Sequence, residues 1–485
     1  MVRPSNGVTS PRNRLNPLQP TPFPPCTHAR SDRWGVGAVL ALVLALTTLT
    51  SCASYPQRTE AAFRAFQSGQ LPSAMEAYAD PKTTGSEFLT AAETGMVALA
   101  AGDWDAAIRY LSAAADVSKS YEDAALINPE SAGETLLSWT INESMTSYQG
   151  EGFERVMIHA CLAIAYLGKG DVTAAGVEVR RANALLESEE KLYKKSYKAG
   201  GLGHMLSAIA YELDRKDADA YIDYQRMLDK GVGEALAGRA LVRLSNKLSR
   251  SEDAEAFVSR FGPDDERPAN AANVVIVAGV GIGPFKREIT LPIPTSDGLL
   301  QWSVPEFVRR PQPISHLEFE VVGGDRTVST VVVEDAAAVA IENLSDRIVW
   351  LSAKSAVRAL LKYQLTKQLE KDHGAIGTLA GIVFTLVTEH ADLRAWQTLP
   401  DTWQAARVFL APGEHQLRLR SDGGNAVDLG RFELAAGETM FVFARTIENR
   451  LFAHPVGGRR LDVPPTPPTP GESAVQTPAP EGTRP

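Results

Sequence analysis

The chain has 485 residues, 44% of them hydrophobic and 22% charged, and a formal charge of −9. That length supports two or three domains with proper cores, so neither a metal nor a disulfide staple is needed to explain folding. The first 51 residues set five arginines (Arg3, Arg12, Arg14, Arg30, Arg33) against Asp32, and the +4 they carry leaves −13 on the remainder. A mature chain that acidic, with no basic stripe, lacks the electrostatic footprint of a nucleic-acid binder.

The first element is the uncharged run Trp34 to Thr50, which follows Arg30 and Arg33 in the basic-then-apolar order of an export signal. It ends in Leu49-Thr50-Ser51-Cys52. This tetrapeptide resembles the lipobox of bacterial lipoproteins, which implies cleavage before Cys52, lipid on its thiol and a membrane as partner through that lipid. Residues 1–51 are therefore expected to be a signal peptide with a long, proline-rich leader. By the same resemblance Ala53, where an Asp would retain the chain, implies the outer membrane, facing the periplasm. Cys26 would leave with the signal, so no disulfide forms within the mature chain, and Cys161 reads as a small core residue.

Residues 52–263 are alanine-rich and helically periodic. Aligned on glycine turns, Gly69-Gln70-Leu71 leads to Ala74 and Tyr78, and Gly102-Asp103-Trp104 leads to Ala107, Leu111 and Ala114. Gly170-Asp171-Val172 leads to Ala175, Val179 and Ala182, and looser offsets recur at Ala208, Tyr211, Ala220 and Tyr224. The pattern resembles tetratricopeptide repeats, in which small residues let paired helices approach and stacked pairs leave a concave, partner-binding surface. A compact bundle without a groove is the competing arrangement.

The polar-rich part of this region supplies the candidate partner-binding residues Tyr148, Glu154, Arg155, His159, Glu178 and Arg181. Arg155 and His159 lie four apart on one helix and share a face. A glutamate, a histidine and arginines suit the lining of a groove, and equally a structural network that fastens the 119–150 loop across the repeats. Glu151 and Glu154 are also the pair to ask about for a glycosidase, since such enzymes use two carboxylates.

At Asp264-Asp265-Glu266-Arg267-Pro268 the helical pattern stops, and a strand-rich region spans 269–460. Strands are predicted from Asn273, and over Arg287 to Ile293, Ile314 to Val322, Thr327 to Val333, Ala406 to Leu410, Gln416 to Arg420, Gly430 to Leu434 and Thr439 to Ala444. Turn residues separate them, predicting an antiparallel sandwich. ARVFLAPGEHQLRLR followed by GRFELAAGETMFVFAR resembles small surface-layer β-sandwich modules in which glycine turns join neighbouring strands. Residues 335–396 are read as an inserted helical hairpin: an amphipathic part, Ala353 to Lys371, with Arg358, Lys362, Lys367 and Lys371, then the uncharged Gly374 to Thr388, which is short for a bilayer span. Residues 461–485, with eight prolines, predict a disordered tail. The expected fold is thus a multidomain α+β chain: a tetratricopeptide-like α-solenoid, then an antiparallel β-sandwich region with the helical hairpin inserted.

Three stretches together carry a more specific resemblance: Tyr148 to Asn183 with its VEVRRAN, the G-x-GPFKREITLPIP strands, and AD-x-R-x-W-x-TLP at Ala391 to Pro400. They resemble a family of bacterial tetratricopeptide lipoproteins with no assigned activity, some encoded near activators of penicillin-binding proteins. The resemblance implies work in the cell envelope. Gly279-Val280-Gly281-Ile282-Gly283 is no dinucleotide loop, since Pro284 and strand-like residues follow where a glycine and a helix are required, and it reads as a glycine hairpin. No nucleophile elbow, zinc-protease motif, paired-cysteine motif or P-loop occurs. The expectation is a non-enzymatic, lipid-anchored scaffold for an unidentified protein partner, with no cofactor and no metal. The alternatives are a peptidoglycan-binding or cell-wall-processing protein, and an accessory to a secretion or export assembly.

Overall fold

The structure is a computed structural model that describes residues 54–127, 148–193, 195–263, 267–268, 270–295, 298–324, 327–348 and 391–462. The leader, Cys52, the 353–371 and Gly374 to Thr388 segments and the tail from 463 onward lie outside the described residues.

Among the described residues, those from 55 to 261 are mainly helical. The helices are α1 (Tyr55–Gln67), α2 (Leu71–Ala79), the short α3 (Pro81–Thr84), α4 (Glu87–Ala101), α5 (Trp104–Ile127), α6 (Gly152–Gly168), α7 (Val172–Tyr193), α8 (Gly201–Leu213), α9 (Asp217–Asp229), α10 (Glu234–Lys247) and α11 (Ser251–Phe261). Five antiparallel hairpins result, α1/α2, α4/α5, α6/α7, α8/α9 and α10/α11, and each packs on the next.

One backbone arrangement, a left-handed residue and two N–H bonds, makes all five turns. At the second, Gly102 N–H donates to Leu99 O and Asp103 N–H to Ala98 O, which closes the spent helix with a left-handed residue. Asp103 Oδ1 then accepts from Ala106 N and caps the next helix. Gly69, Gly102 and Gly170 take the required positive φ without strain, at 73°, 73° and 78°. In the last two hairpins Arg215 and Ser249 occupy that position at 58° and 56°. Small residues set the helix spacing: a Cβ on Gly168 of α6 would come within 2.4 Å of the Trp104 ring of α5.

Strands begin with β1 (Ala272–Val280), followed by β2 (Phe285–Thr295), β3 (Gly298–Val308), β4 (Leu317–Val321), β5 (Thr327–Ser329) and β6 (Val331–Glu334). A helix over 336–348 comes next, and Asp335 caps it by accepting from Ala338 N. Then come β7 (Thr402–Leu410), β8 (Gly413–Ser421), β9 (Ala426–Leu434), β10 (Thr439–Ile447), β11 (Arg450–Val456) and β12 (Arg459–Arg460). One sheet has the order β11-β10-β1-β7-β6, a second β12-β9-β8-β4-β5, and β2-β3 form a separate ribbon.

The first sheet is buried on both sides. Val274, Ile276, Val408 and Val442 meet Leu417, Leu419, Phe319 and Phe432 of the second sheet in one cluster. Val275, Val277, Ala405, Phe441 and Phe443 on its other face join the helical residues Met96, Leu99, Leu162 and Ile164 in another. The first helices of the hairpins therefore lie between their partner helices and a sheet, and Ala91 to Ala100 of α4 are buried without interruption. Helical and strand-rich parts thus share a core.

Four sequence expectations need correction. The sheets are not uniformly antiparallel: β1 pairs parallel with β10, Asn273 opposite Thr439 through Gly279 opposite Arg445. These strands are far apart in sequence, so no tight turn dictates their relative direction. Second, Thr327 to Val333 is two strands, one in each sheet, with Thr330 between them donating to Gln404 Oε1 at 2.6 Å. Third, the Pro412-Gly413 and Ala436-Gly437 turns carry the chain from one sheet to the other instead of joining neighbours, whereas Asp422 to Asn425 does close a hairpin, β8/β9. Finally, Gly281 to Gly283 is no hairpin, because β2 pairs with β3 and not with β1.

Candidate functional site

The six sequence-predicted residues fall into two groups. Tyr148 and Glu154 point inward. Glu154 sits in the first turn of α6, where its Oε2 accepts from Glu151 N at 2.9 Å in a capping box and from the Tyr148 hydroxyl at 2.6 Å. Its Oε1 accepts from Trp396 N at 2.7 Å. Of the other four, Arg155 and His159 tie α6 to α7, Arg155 donating to Glu189 at 2.6 Å and His159 Nδ1 lying 2.6 Å from Glu178, while Arg181 donates to Glu178 at 2.7 Å within α7. Of the 119–150 loop that such a network was expected to fasten, 119–127 is the end of α5, 128–147 lies outside the described residues, and Tyr148 is held by Glu154 and Phe88.

The sequence did not point to Glu93, which completes the inner group. On α4 it accepts from the Tyr55 hydroxyl at 2.8 Å, Gln397 N at 2.7 Å, Thr398 N at 3.0 Å and Thr398 Oγ1 at 2.6 Å. Its available signal was a lone acid inside the apolar run AAETGMVALAA. Glu93 and Glu154 together thus accept the three consecutive backbone N–H groups of Trp396, Gln397 and Thr398. Those groups are buried and need acceptors, and two helices supply them.

The rest of that segment is fixed as firmly. Arg394 donates to both oxygens of Asp392 and lies with its guanidinium 5.1 Å from the centre of the Tyr148 ring. Leu399 O accepts from Gly283 N at 2.7 Å, and Arg309 grips Asp401 with two bonds at 2.8 and 2.7 Å. Glu151, beside Glu154, pairs with Lys286 of β2 and with Arg347. The three stretches singled out in the sequence, around Glu154, Lys286 and Trp396, therefore meet in one buried polar cluster.

Burial and partners set the charge there. Burial pushes Glu93 up to about 7, although Thr398, Gln397 and Tyr55 all donate to it. Burial raises Glu154 too, helped by the neighbouring Glu151. Burial also opposes the charge on Glu151, but Arg347 and Lys286 outweigh it and hold that carboxyl at about 2. The oxygens of Glu93 and Glu154 all accept bonds from the chain itself, and both residues are wholly buried, so the arrangement positions backbone and offers no carboxylate to a substrate.

A second cluster lies further along the array. Glu212 at the end of α8 accepts from Arg243 of α10, Arg407 of β7 and the Tyr224 hydroxyl of α9. Burial works against its charge, yet the two arginines hold it at about 2. Cys161 is fully buried, and burial pushes its thiol far up, as a core residue requires. Among the described residues no group of three or more His, Cys, Asp or Glu is arranged to hold a metal, and no helix is long and apolar enough to cross a membrane.

No family model and no curated protein matches this sequence. Among solved structures, the apo form of RapI aligns at 12% identity over 48% of this chain and 59% of that one, with a TM-score of 0.32. The alignment thus spans less than two thirds of RapI, and a likeness at that level assigns neither fold nor function.

Proposed function

We propose that this chain is a non-enzymatic scaffold of the bacterial cell envelope, held to the membrane by lipid on Cys52, whose tetratricopeptide-like array carries a β-sandwich region and presents the outer helices to a protein partner. The observation that carries the proposal is the convergence of the three characteristic stretches on a sealed cluster where each carboxylate is engaged by the chain itself. Catalytic carboxylates must reach substrate, and those of Glu93 and Glu154 are spent on backbone N–H groups. The inner face of the helices is covered by the first sheet, so α2, α5, α7, α9 and α11 are the surfaces left for a partner. Their exposed apolar residues include Ile222 and Val258.

Two measurements test the proposal. Purified protein incubated with isolated peptidoglycan should release no soluble fragments; release that Glu154→Gln abolishes would replace the scaffold with a wall-processing enzyme. The mass of the mature N-terminus should be that of acylated Cys52, and an unmodified N-terminus upstream of it would remove the anchor.

A further inference from the structure

One row of the first sheet places a cation opposite an indole. Arg445 on β10, Gly279 on β1 and Trp403 on β7 stand side by side in register. The row two residues along, Phe443, Val277 and Ala405, faces the helices, so this row faces them as well. Gly279 supplies no side chain, and a Cβ there would come within 3.2 Å of Arg445 Cδ. Arg445 and Pro400 both pack closely over the glycine, Pro400 Cβ at the same 3.2 Å. Trp403 and Arg445 flank it two strand spacings apart, about 10 Å between their Cα atoms.

Both residues line one cavity between this sheet, α4 and α6, which Met96, Leu99, Ile164 and His454 also line. Each is 3% exposed, and each has a buried N–H with no acceptor, Nε1 of Trp403 and Nε of Arg445. The other guanidinium N–H groups of Arg445 reach the carbonyls of Gly279, Gly281, Thr398 and Thr446. No carboxylate hydrogen-bonds it among the described residues. Burial pushes Arg445 down to about 9, against the opposing pull of Cys161 and of Asp401, whose carboxylate is itself gripped by Arg309. A buried charge with no hydrogen-bonded counter-ion and an incomplete set of hydrogen bonds is costly, and proteins rarely leave one so.

We propose that this cavity binds a small monovalent anion, a halide, held between Trp403 Nε1–H and Arg445 Nε–H. The unsatisfied groups are both donors. A water molecule placed there would accept from both and still need acceptors for its own two hydrogens, whereas a halide takes donors alone and neutralises the guanidinium. The apolar remainder of the lining suits a weakly hydrated ion. The site is separate from the Glu93 cluster and does not depend on the function proposed above.

Crystals of the full chain grown in sodium bromide test it directly: a bromide anomalous peak within reach of both nitrogens is expected, and a cavity that is dry or holds only water overturns the proposal. In solution, thermal midpoints in chloride and in gluconate at equal ionic strength should differ, rising about one to two degrees per tenfold increase in chloride. Trp403→Phe, which deletes the N–H and keeps most of the ring volume, should abolish that chloride dependence with the far-ultraviolet spectrum unchanged. Equal midpoints in the two salts for the unmodified chain would also overturn it.

Discussion

Glu93 is wholly buried and Glu212 largely so, with 12% of its side chain exposed; each sits on the first helix of a hairpin and reaches across to the strand-rich half. They differ in what they meet. Glu93 meets a phenol, a hydroxyl and backbone amides, and burial prevails, at about 7. Glu212 meets two guanidinium groups and stays charged, at about 2. Burial alone therefore does not fix the charge of a group; the charge of its partners decides. The second and fourth hairpins are fastened to the strand-rich half by different physics, one by hydrogen bonds to a segment of backbone and the other by ion pairs.

The sharpest way to break this comparison is at the ion pair. Arg407→Met leaves the largely buried Glu212 with Arg243 and the Tyr224 hydroxyl and should cost about 2–3 kcal/mol in urea unfolding, because its charge is then undercompensated. Combining it with Glu212→Gln should recover part of that loss. A single-variant cost under about 1 kcal/mol would show that Glu212 is solvated, and the contrast with Glu93 would fall.

The next effect is one of pH, and the two glutamates should respond with opposite sign. Glu93 binds its proton more tightly folded than unfolded, so its contribution is present below the unfolded value of about 4.3 and is lost as pH rises through about 7. Glu334, also pushed up to about 7 by burial, acts in the same sense. Glu212 and Glu151, held at about 2, contribute stability above the unfolded value that is lost as pH falls toward 2. Stability should thus peak in mild acid. Glu93→Gln should flatten the fall between pH 5 and 7, by on the order of 2–3 kcal/mol, in denaturation curves taken across that range. An unchanged slope in the variant would mean that Glu93 is ionised like a surface carboxylate.

How much of this the sequence shows depends on whether the signal is local. The first three hairpin turns are legible because a left-handed residue there selects glycine, at Gly69, Gly102 and Gly170. The fourth is faint and the fifth invisible in that pattern, because Arg215 and Ser249 adopt the same conformation. Tyr148 and Glu154 could be picked out beside the α6 capping box, which is written within a few residues. Glu93 could not, because its partners at 397 and 398 lie some 300 residues away. The sheets show the same limit: a glycine turn has the same composition whether it closes a hairpin, as after Ser421, or crosses between sheets, as after Leu410.

That difference between turns gives a smaller prediction. Arg215→Gly should stabilise the fourth hairpin by about 0.5–1 kcal/mol, since a non-glycine residue at φ 58° is strained and its side chain is exposed. Gly102→Ala should do the reverse, adding strain at φ 73° and placing a Cβ 2.5 Å from His454 Nδ1. Chemical unfolding of the two variants side by side checks the pair, and equal shifts would mean that the turns are not equivalent devices.

The smallest effect belongs to the outer network. Arg181 donates to Glu178, but its side chain is 59% exposed, and Glu178 keeps His159 as a second partner. Solvent screens such a pair, so Arg181→Ala should change stability by less than about 0.5 kcal/mol. The same substitution should weaken partner capture if the outer face of α7 is where a partner docks, because an exposed arginine contributes more to an interface than to a fold. A variant as stable as the parent that also binds its partner with unchanged affinity would move the docking surface off α7 and onto the remaining outer helices.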